Sequence, residues 1–361
     1  MPFSKKNETL VIAEAGVNHN GDERIAIDLI NSAFECGADI VKFQTFKANS
    51  LVTKYAKKAE YQSNNTSGSS SQYEMLHDLE LSHETYLRLK SHCLDLGIEF
   101  LSTAFDSSSL VFLTDELKLK LLKIPSGEIT NLPLVVEYAR TGSEIIMSTG
   151  MSSIEEIKLA LGALAFGYLN KESEPSLDLF EEAFSSIDGR SILNQKVTLL
   201  HCVTEYPAPI NEINLSAMKT MTKLFDLKVG YSDHTEGINA SIAAVALGAK
   251  VIEKHFTMDK MMEGPDHKAS LDPGELKKMI SSIREVESMI GDGEKKIMPC
   301  EIKNKVIARK SIVALLPVKK GEVFTKENLT FKRPGSGKPP SRFWDLLGKN
   351  AKKDYEMDDL I

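Results

Sequence analysis

Over roughly the first 290 residues, short apolar runs alternate with stretches whose apolar side chains recur every three or four positions. The runs are LVIAEAG (10–16), DIVKFQ (39–44), IEFLST (98–103), LLKIPSG (121–127), EIIMSTG (144–150), VTLLHC (197–202), LKVGYSD (227–233) and KVIEKHF (250–256). Apolar runs of this length, without strict polar alternation, suit parallel strands covered on both faces. Between them, Ala26, Leu29, Ile30 and Ala33 fall on one helical face that Gly37 can end. Asp272, Pro273 and Glu275 similarly open a helix carrying Leu276, Met279, Ile280, Ile283 and Val286. Strand and helix alternating eight times predicts an α/β fold, a (β/α)8 TIM barrel over 1–288. A doubly wound open sheet is the competing layout, but no G-x-G-x-x-G follows the first run.

Two connections are long. Residues 54–75, polar and rich in Ser and Asn, form a βα loop expected on the active face of a barrel. Residues 163–196 are acidic, interrupted by Gly189, and predict an extra helical excursion. After a linker at 289–305 the texture changes. Residues 306–361 read as short strands and turns around one short helix, punctuated by Pro334, Gly335, Gly337, Pro339 and Pro340. A second, small, β-rich domain is expected there.

Charge narrows the function. The small domain has 12 basic against 7 acidic residues, a net +5, which leaves −12 on the remainder of a chain at −7. An acidic body does not suggest a nucleic-acid partner. No apolar stretch is long enough to span a bilayer, and the N-terminal segment does not read as a signal peptide. Cys36, Cys93, Cys202 and Cys300 are scattered without a C-x-x-C pair, so structural zinc and disulfides are not expected and a cytoplasmic location is.

Barrel chemistry sits at the C-terminal ends of strands. Those positions hold Glu14; Lys42 and Gln44; Ser102 and Thr103; Lys123, Ser126 and Glu128; Ser148 and Thr149; His201 and Tyr206; Ser232, Asp233 and His234; Glu253, Lys254 and His255. Such a ring of polar ends points to an enzyme. Lys42 and Lys123 lie in apolar runs, where an ammonium needs a partner. They suit a phosphate and carboxylate clamp completed by hydroxyls, an internal ion pair with Glu14 or Glu128, or a Schiff base. His234 and His255 end consecutive strands and can share a divalent ion such as Mn²⁺, Co²⁺, Zn²⁺ or Fe²⁺. His19, His77, His83, His92 and His267 are expected in loops or on helix surfaces, with His19 the nearest to the site.

IAEAGVNHNGD, GADIVKFQTFKA, KIPSGEITNLPL, HCVTEYPAP, GYSDHTEG, IEKHFTMDK and KKGEVFTKENLTFKRPG together resemble the sialic acid synthase family from about residue 9 to the C-terminus. The resemblance implies a barrel joined to an antifreeze-like SAF domain, in a domain-swapped homodimer. It implies phosphoenolpyruvate held by Lys42, Thr103, Lys123, Ser126, Ser148 and Ser232. His234 and His255 would bind Mn²⁺, with Co²⁺ or Mg²⁺ as alternatives. Gln44, Glu128, Tyr206 and Asp266 would contact an N-acetylmannosamine-type sugar, Arg333 would reach the partner's sugar, and Glu14 would handle protons. Thr204 stands where some relatives carry asparagine, and Ala104 and Pro125 also depart from the common pattern; Thr204 is left out of the expected site.

The expected reaction makes N-acetylneuraminate from phosphoenolpyruvate and N-acetylmannosamine, releasing phosphate by C–O cleavage. The alternatives are a legionaminate synthase using 2,4-diacetamido-2,4,6-trideoxymannose, a synthase of shorter keto acids, and a non-catalytic sugar-binding barrel.

Overall fold

The computed structural model describes residues 8–66, 71–170 and 172–361. The start of the N-terminal segment, residues 67–70 of the polar loop and residue 171 of the acidic insertion lie outside the described residues. The chain forms two compact units, Met1–Gly291 and Asp292–Ile361.

The first unit is a closed barrel of eight parallel strands in sequence order. They are β1 (Leu10–Gly16), β2 (Ile40–Thr45), β3 (Glu99–Ala104), β4 (Leu121–Ile124), β5 (Glu144–Ser148), β6 (Val197–Cys202), β7 (Lys228–Asp233) and β8 (Val251–His255). All eight predicted runs are strands. The helix ends also follow the sequence. Glu23–Cys36 stops at Gly37 in the left-handed conformation, and Pro273–Ile290 starts with the Asp272/Glu275 capping box. The acidic insertion adds two helices, Leu177–Ser185 and Ile187–Lys196, after Ile154–Leu169. Gly189 does not interrupt them. It lies in a first helical turn, donating its N–H to Ser186, where a Cβ would meet the Ala183 carbonyl at 1.8 Å.

Side chains alternate across each strand, so every second residue enters the lumen. Leu10, Ile12, Ile40, Leu101, Leu121, Ile146, Leu200 and Val251 fill it as one apolar cluster. Two residues further along the same strands come Glu14, Lys42, Thr103, Lys123, Ser148, Cys202 and Glu253. The lumen therefore changes from hydrocarbon to charge within one step of each strand. The intervening residues, Val11, Ala13, Val41 and Phe43 among them, pack into the helix layer.

The same alternation corrects part of the strand-end list. Ser102, Thr149, His201, Asp233 and Lys254 have the outward parity. Lys254 lies 3.2 Å from Asp233 and also donates to the Thr235 carbonyl; both side chains are fully buried. His201 Nε2 donates to the Ile213 carbonyl at 2.7 Å, and the Thr149 hydroxyl to the Leu200 carbonyl at 2.9 Å. These groups secure packing.

His19 and His267 lie in the connections after β1 and β8, as expected of loop residues, and both are buried with no exposed surface. His267 bonds Thr257 and Asn20, while His19 Nδ1 accepts the Gly21 N–H at 3.0 Å. Burial, helped by His267, lowers the His19 pKa from 6.5 to about 4. Its contribution to stability is complete above pH 6.5 and declines as pH falls towards 4, because the unfolded chain then takes up a proton that the fold refuses. The loss reaches about 3 kcal/mol. Denaturant unfolding across this range should show a shallower decline for His19→Gln; identical slopes would exclude His19 as a source.

In the second unit, β9 (Ser311–Ala314) pairs antiparallel with β10 (Leu329–Lys332), and a single turn of helix spans Phe343–Leu346. Its core is Ile312, Ala314, Val318, Phe324, Leu329, Ala351, Tyr355 and Ile361. Arg333 follows β10 and is exposed.

Candidate active site

Strand register assembles the floor of the site. Glu14 is paired with Lys42 of β2 and with His255 of β8, Thr103 with Lys123, and Ser232 with Glu253. Lys42 Nζ lies 2.6 Å from Glu14 and 3.5 Å from Glu253, and donates to Thr103 Oγ1 at 3.2 Å. Lys123 Nζ lies 3.3 Å from the other Glu253 oxygen, which also accepts from Ser232 at 2.9 Å. Two ammoniums and two carboxylates, each no more than 6 % exposed, thus neutralise one another. Of the readings left open for the lysines, the ion pair with Glu14 is present. Glu253, not Glu128, supplies the other partner.

This arrangement splits the pKa values. Burial raises that of Glu14, against the pull of Lys42. Burial likewise opposes ionisation of Glu253, but Lys123 and Lys42 outweigh it and hold that carboxyl well below its usual range. Burial alone would lower both lysines; it does so for Lys123, whereas Glu14 and Glu253 keep Lys42 raised. Glu253 is the fixed charge and Glu14 the group able to carry a proton.

Above the lysines, Ser126 Oγ accepts the Gly150 N–H at 3.0 Å and lies 3.1 Å from Cys202 Sγ. A Cβ on Gly150 would meet Thr204 Oγ1 at 2.1 Å, so only glycine brings this backbone so close. The Ser148 and Thr204 hydroxyls are buried without hydrogen-bond partners, which costs about 1–3 kcal/mol each unless a ligand or water pairs them. Ser126, Ser148 and Thr204 line one cavity of about 210 Å³ together with Lys42, Lys123, Glu14 and Glu253. Thr204 belongs to it despite its departure from the family pattern.

His234 and His255 face each other with ring centroids 5.8 Å apart. Burial lowers the His234 pKa to about 4 and that of His255 well below its ordinary value, so both rings are neutral. His234 Nδ1 donates to the Val203 carbonyl at 2.6 Å, which leaves a lone pair on Nε2, where the Tyr206 hydroxyl donates at 3.3 Å. His255 Nδ1 is buried without a hydrogen-bond partner, 3.9 Å from Asp266, whose pKa burial and Glu14 raise to about 7. These donors fit a divalent ion. Among the described residues no group of three or more His, Cys, Asp or Glu is gathered for one, so water and substrate would complete the coordination.

Gln44 donates to Glu14 at 3.2 Å, and Tyr206 stacks on His234 at 4.2 Å and on Tyr61 at 5.1 Å. The polar loop thus reaches the cavity through Tyr61 and Gln62, with Met75 just beyond. Of the expected residues of the barrel, the structure gathers all but Glu128, and Arg333 belongs to the second unit. Glu128 stands outside the lining, its carboxylate taking the Asn131 amide at 2.8 Å. Glu253 was the main omission, and its inward parity with His255 is the signal that finds it.

The NeuB family model matches residues 29–295 and the SAF domain model residues 309–361. The chain belongs to the NeuB family. It is 50 % identical to an N,N'-diacetyllegionaminic acid synthase of Campylobacter jejuni, over 98 % of this chain and 99 % of that one. A synthase of the same name from Legionella pneumophila is 46 % identical over 96 % and 91 %. Among solved structures, the N-acetylneuraminic acid synthetase of Leptospira borgpetersenii superposes with a TM-score of 0.66 at 29 % identity, covering 82 % of this chain and 90 % of that one. NeuB relatives therefore match both units, and no described helix is long and apolar enough to cross a membrane.

Proposed function

We propose that this protein is a nonulosonate synthase that joins phosphoenolpyruvate to 2,4-diacetamido-2,4,6-trideoxymannose, forming N,N'-diacetyllegionaminate and phosphate. The observation that carries the reaction type is the buried Lys42–Lys123–Glu14–Glu253 cluster beneath two neutral histidines. The sugar rests on the two legionaminic acid synthases at 50 % and 46 % identity, which move the proposal away from N-acetylmannosamine.

Lys42, Lys123, Thr103, Ser126, Ser148 and Ser232 hold the phosphate and carboxylate of phosphoenolpyruvate, and Thr204 adds an unpaired hydroxyl. An anion arriving here meets two ammoniums that Glu253 holds in place at 3.5 and 3.3 Å. Gln44, Tyr206 and Asp266 orient the sugar. A divalent ion held by His234 and His255, Mn²⁺ in the first instance, would polarise the sugar carbonyl. The C3 carbon of phosphoenolpyruvate attacks that carbonyl carbon, positive charge develops at C2, and water adds there. Glu14, with its raised pKa, takes the proton from this water and passes it to the sugar's carbonyl oxygen, which the attack leaves as an alkoxide. The C2–O bond to phosphate then breaks, the leaving phosphate takes up the C2 hydroxyl proton, and the keto acid forms.

Phosphate release with Mn²⁺ and either sugar tests the reading. Release that requires a sugar supports it; release with neither sugar would return the barrel to a shorter aldose or a binding role. Arg333 is proposed to reach the sugar acetamido group in a second protomer of a swapped dimer. Arg333→Ala should then raise the KM for sugar about tenfold, a loss near 1.4 kcal/mol, and spare that for phosphoenolpyruvate. An unchanged sugar KM would remove the contact.

A further inference from the structure

One part of the cavity lining is unused by this chemistry. Val17 after β1, Phe105 after β3, and Met75, Leu76 and Leu79 in and just after the helix Gln72–Asp78 form an apolar wall. With Phe46 and Leu51 they make a small cluster separate from the barrel core. None of them carries a hydroxyl, amide or charge. The polar neighbours in the lining, Gln62 and Tyr61, are engaged with each other and with their surroundings: Gln62 Oε1 accepts the Ala59 N–H at 3.0 Å, its Nε2 donates to the Tyr61 hydroxyl at 3.4 Å, and the Tyr61 ring packs against Tyr206.

We propose that this wall selects the deoxy end of the sugar, receiving the C6 methyl group of 2,4-diacetamido-2,4,6-trideoxymannose, with Leu76, Met75 and Phe105 as determinants of sugar choice. The inference rests on the synthase reading above and argues by elimination along the cavity. The lysines fix phosphate and carboxylate at the floor. The sugar's carbonyl carbon has to reach His234 and His255. Its far end then lies away from both, where the apolar wall is the largest unassigned part of the lining, beside Tyr61, Gln62 and Pro265. A methyl group placed there leaves water for hydrocarbon without losing any polar contact. A C6 hydroxyl in the same place gives up its water and meets no partner. An apolar pocket discriminates against an added hydroxyl by about 10- to 100-fold, which sets the expected size of the preference.

The test uses the full chain and three probes: the trideoxy sugar, its 6-hydroxy counterpart identical at every other carbon, and N-acetylmannosamine. The readout is the ratio of kcat/KM for the first two. The wild type should favour the 6-deoxy sugar at least about tenfold. Leu76→Gln, at a half-buried position, should bring the ratio towards one, and Phe105→Tyr should lower it as well. Unfolding curves confirm that each variant is folded, and two positions guard against failure of either. Turnover of both diacetamido sugars with a wild-type ratio near one, or a ratio unmoved in both folded variants, overturns the wall as the selector and leaves the synthase reading intact. No turnover with any probe overturns both.

Discussion

Glu253→Gln should be the most damaging single substitution in the barrel. Glu253 is a carboxylate shared by the two lysines of the cavity floor, 3.5 Å from Lys42 and 3.3 Å from Lys123. Glutamine preserves shape and the Ser232 contact but leaves the cluster with an uncompensated positive charge. Removing one partner of a buried ion pair costs about 3–5 kcal/mol. Stability in denaturant should fall by that amount, and turnover by at least about a hundredfold, because Lys42 and Lys123 would no longer be held in place. Inorganic phosphate should raise the melting temperature of the variant more than that of the wild type, since the anion supplies the missing charge. Equal phosphate responses would mean that the lysines do not form an anion clamp.

His255→Ala carries the second large effect, on chemistry rather than on folding. The His255 ring is buried, neutral and without a hydrogen-bond partner on Nδ1, so the fold has little to lose and an ion one of two protein ligands. Turnover stimulated by added Mn²⁺ should fall by at least about 10³-fold, near 4 kcal/mol of transition-state stabilisation. Titration calorimetry with Mn²⁺ alone should lose its binding isotherm. Retained binding and retained stimulation together would eliminate the paired-histidine site.

The elements were readable because each apolar run obeys one physical demand: both faces of a parallel strand must be covered. Helix ends were readable at Asp272 and Gly37, where side-chain capping and a left-handed residue leave local signatures. The chemistry was readable only to the level of strand ends. Sorting those ends needed parity, which separates Glu253 from Lys254 and Ser232 from Asp233 although the pairs are adjacent in sequence. Glu253 was passed over because both faces of these strands read as polar near their ends. Tyr61 and Gln62 were legible only as part of the 54–75 loop expected on the active face, not as individual residues. They reach the cavity through a long loop, whose course depends on tertiary packing, here Tyr61 against Tyr206. The burial of His19 was not legible for a related reason: its Asn- and Gly-rich turn is covered by the β8 loop, which reaches it through His267 and Glu263 on Asn20.

The strict alternation along the strands makes strand length, more than strand composition, the quantity that cannot drift. Reactive and packing residues are interleaved like two messages printed on alternate letters. Exchanging one letter alters one message. Inserting a single residue ahead of Lys42 would instead transpose them, sending its ammonium into the helix layer and Phe43 into the lumen. Diversification of this barrel towards other sugars is therefore expected to proceed through the loops at its mouth, where length is free, while the strands retain their count.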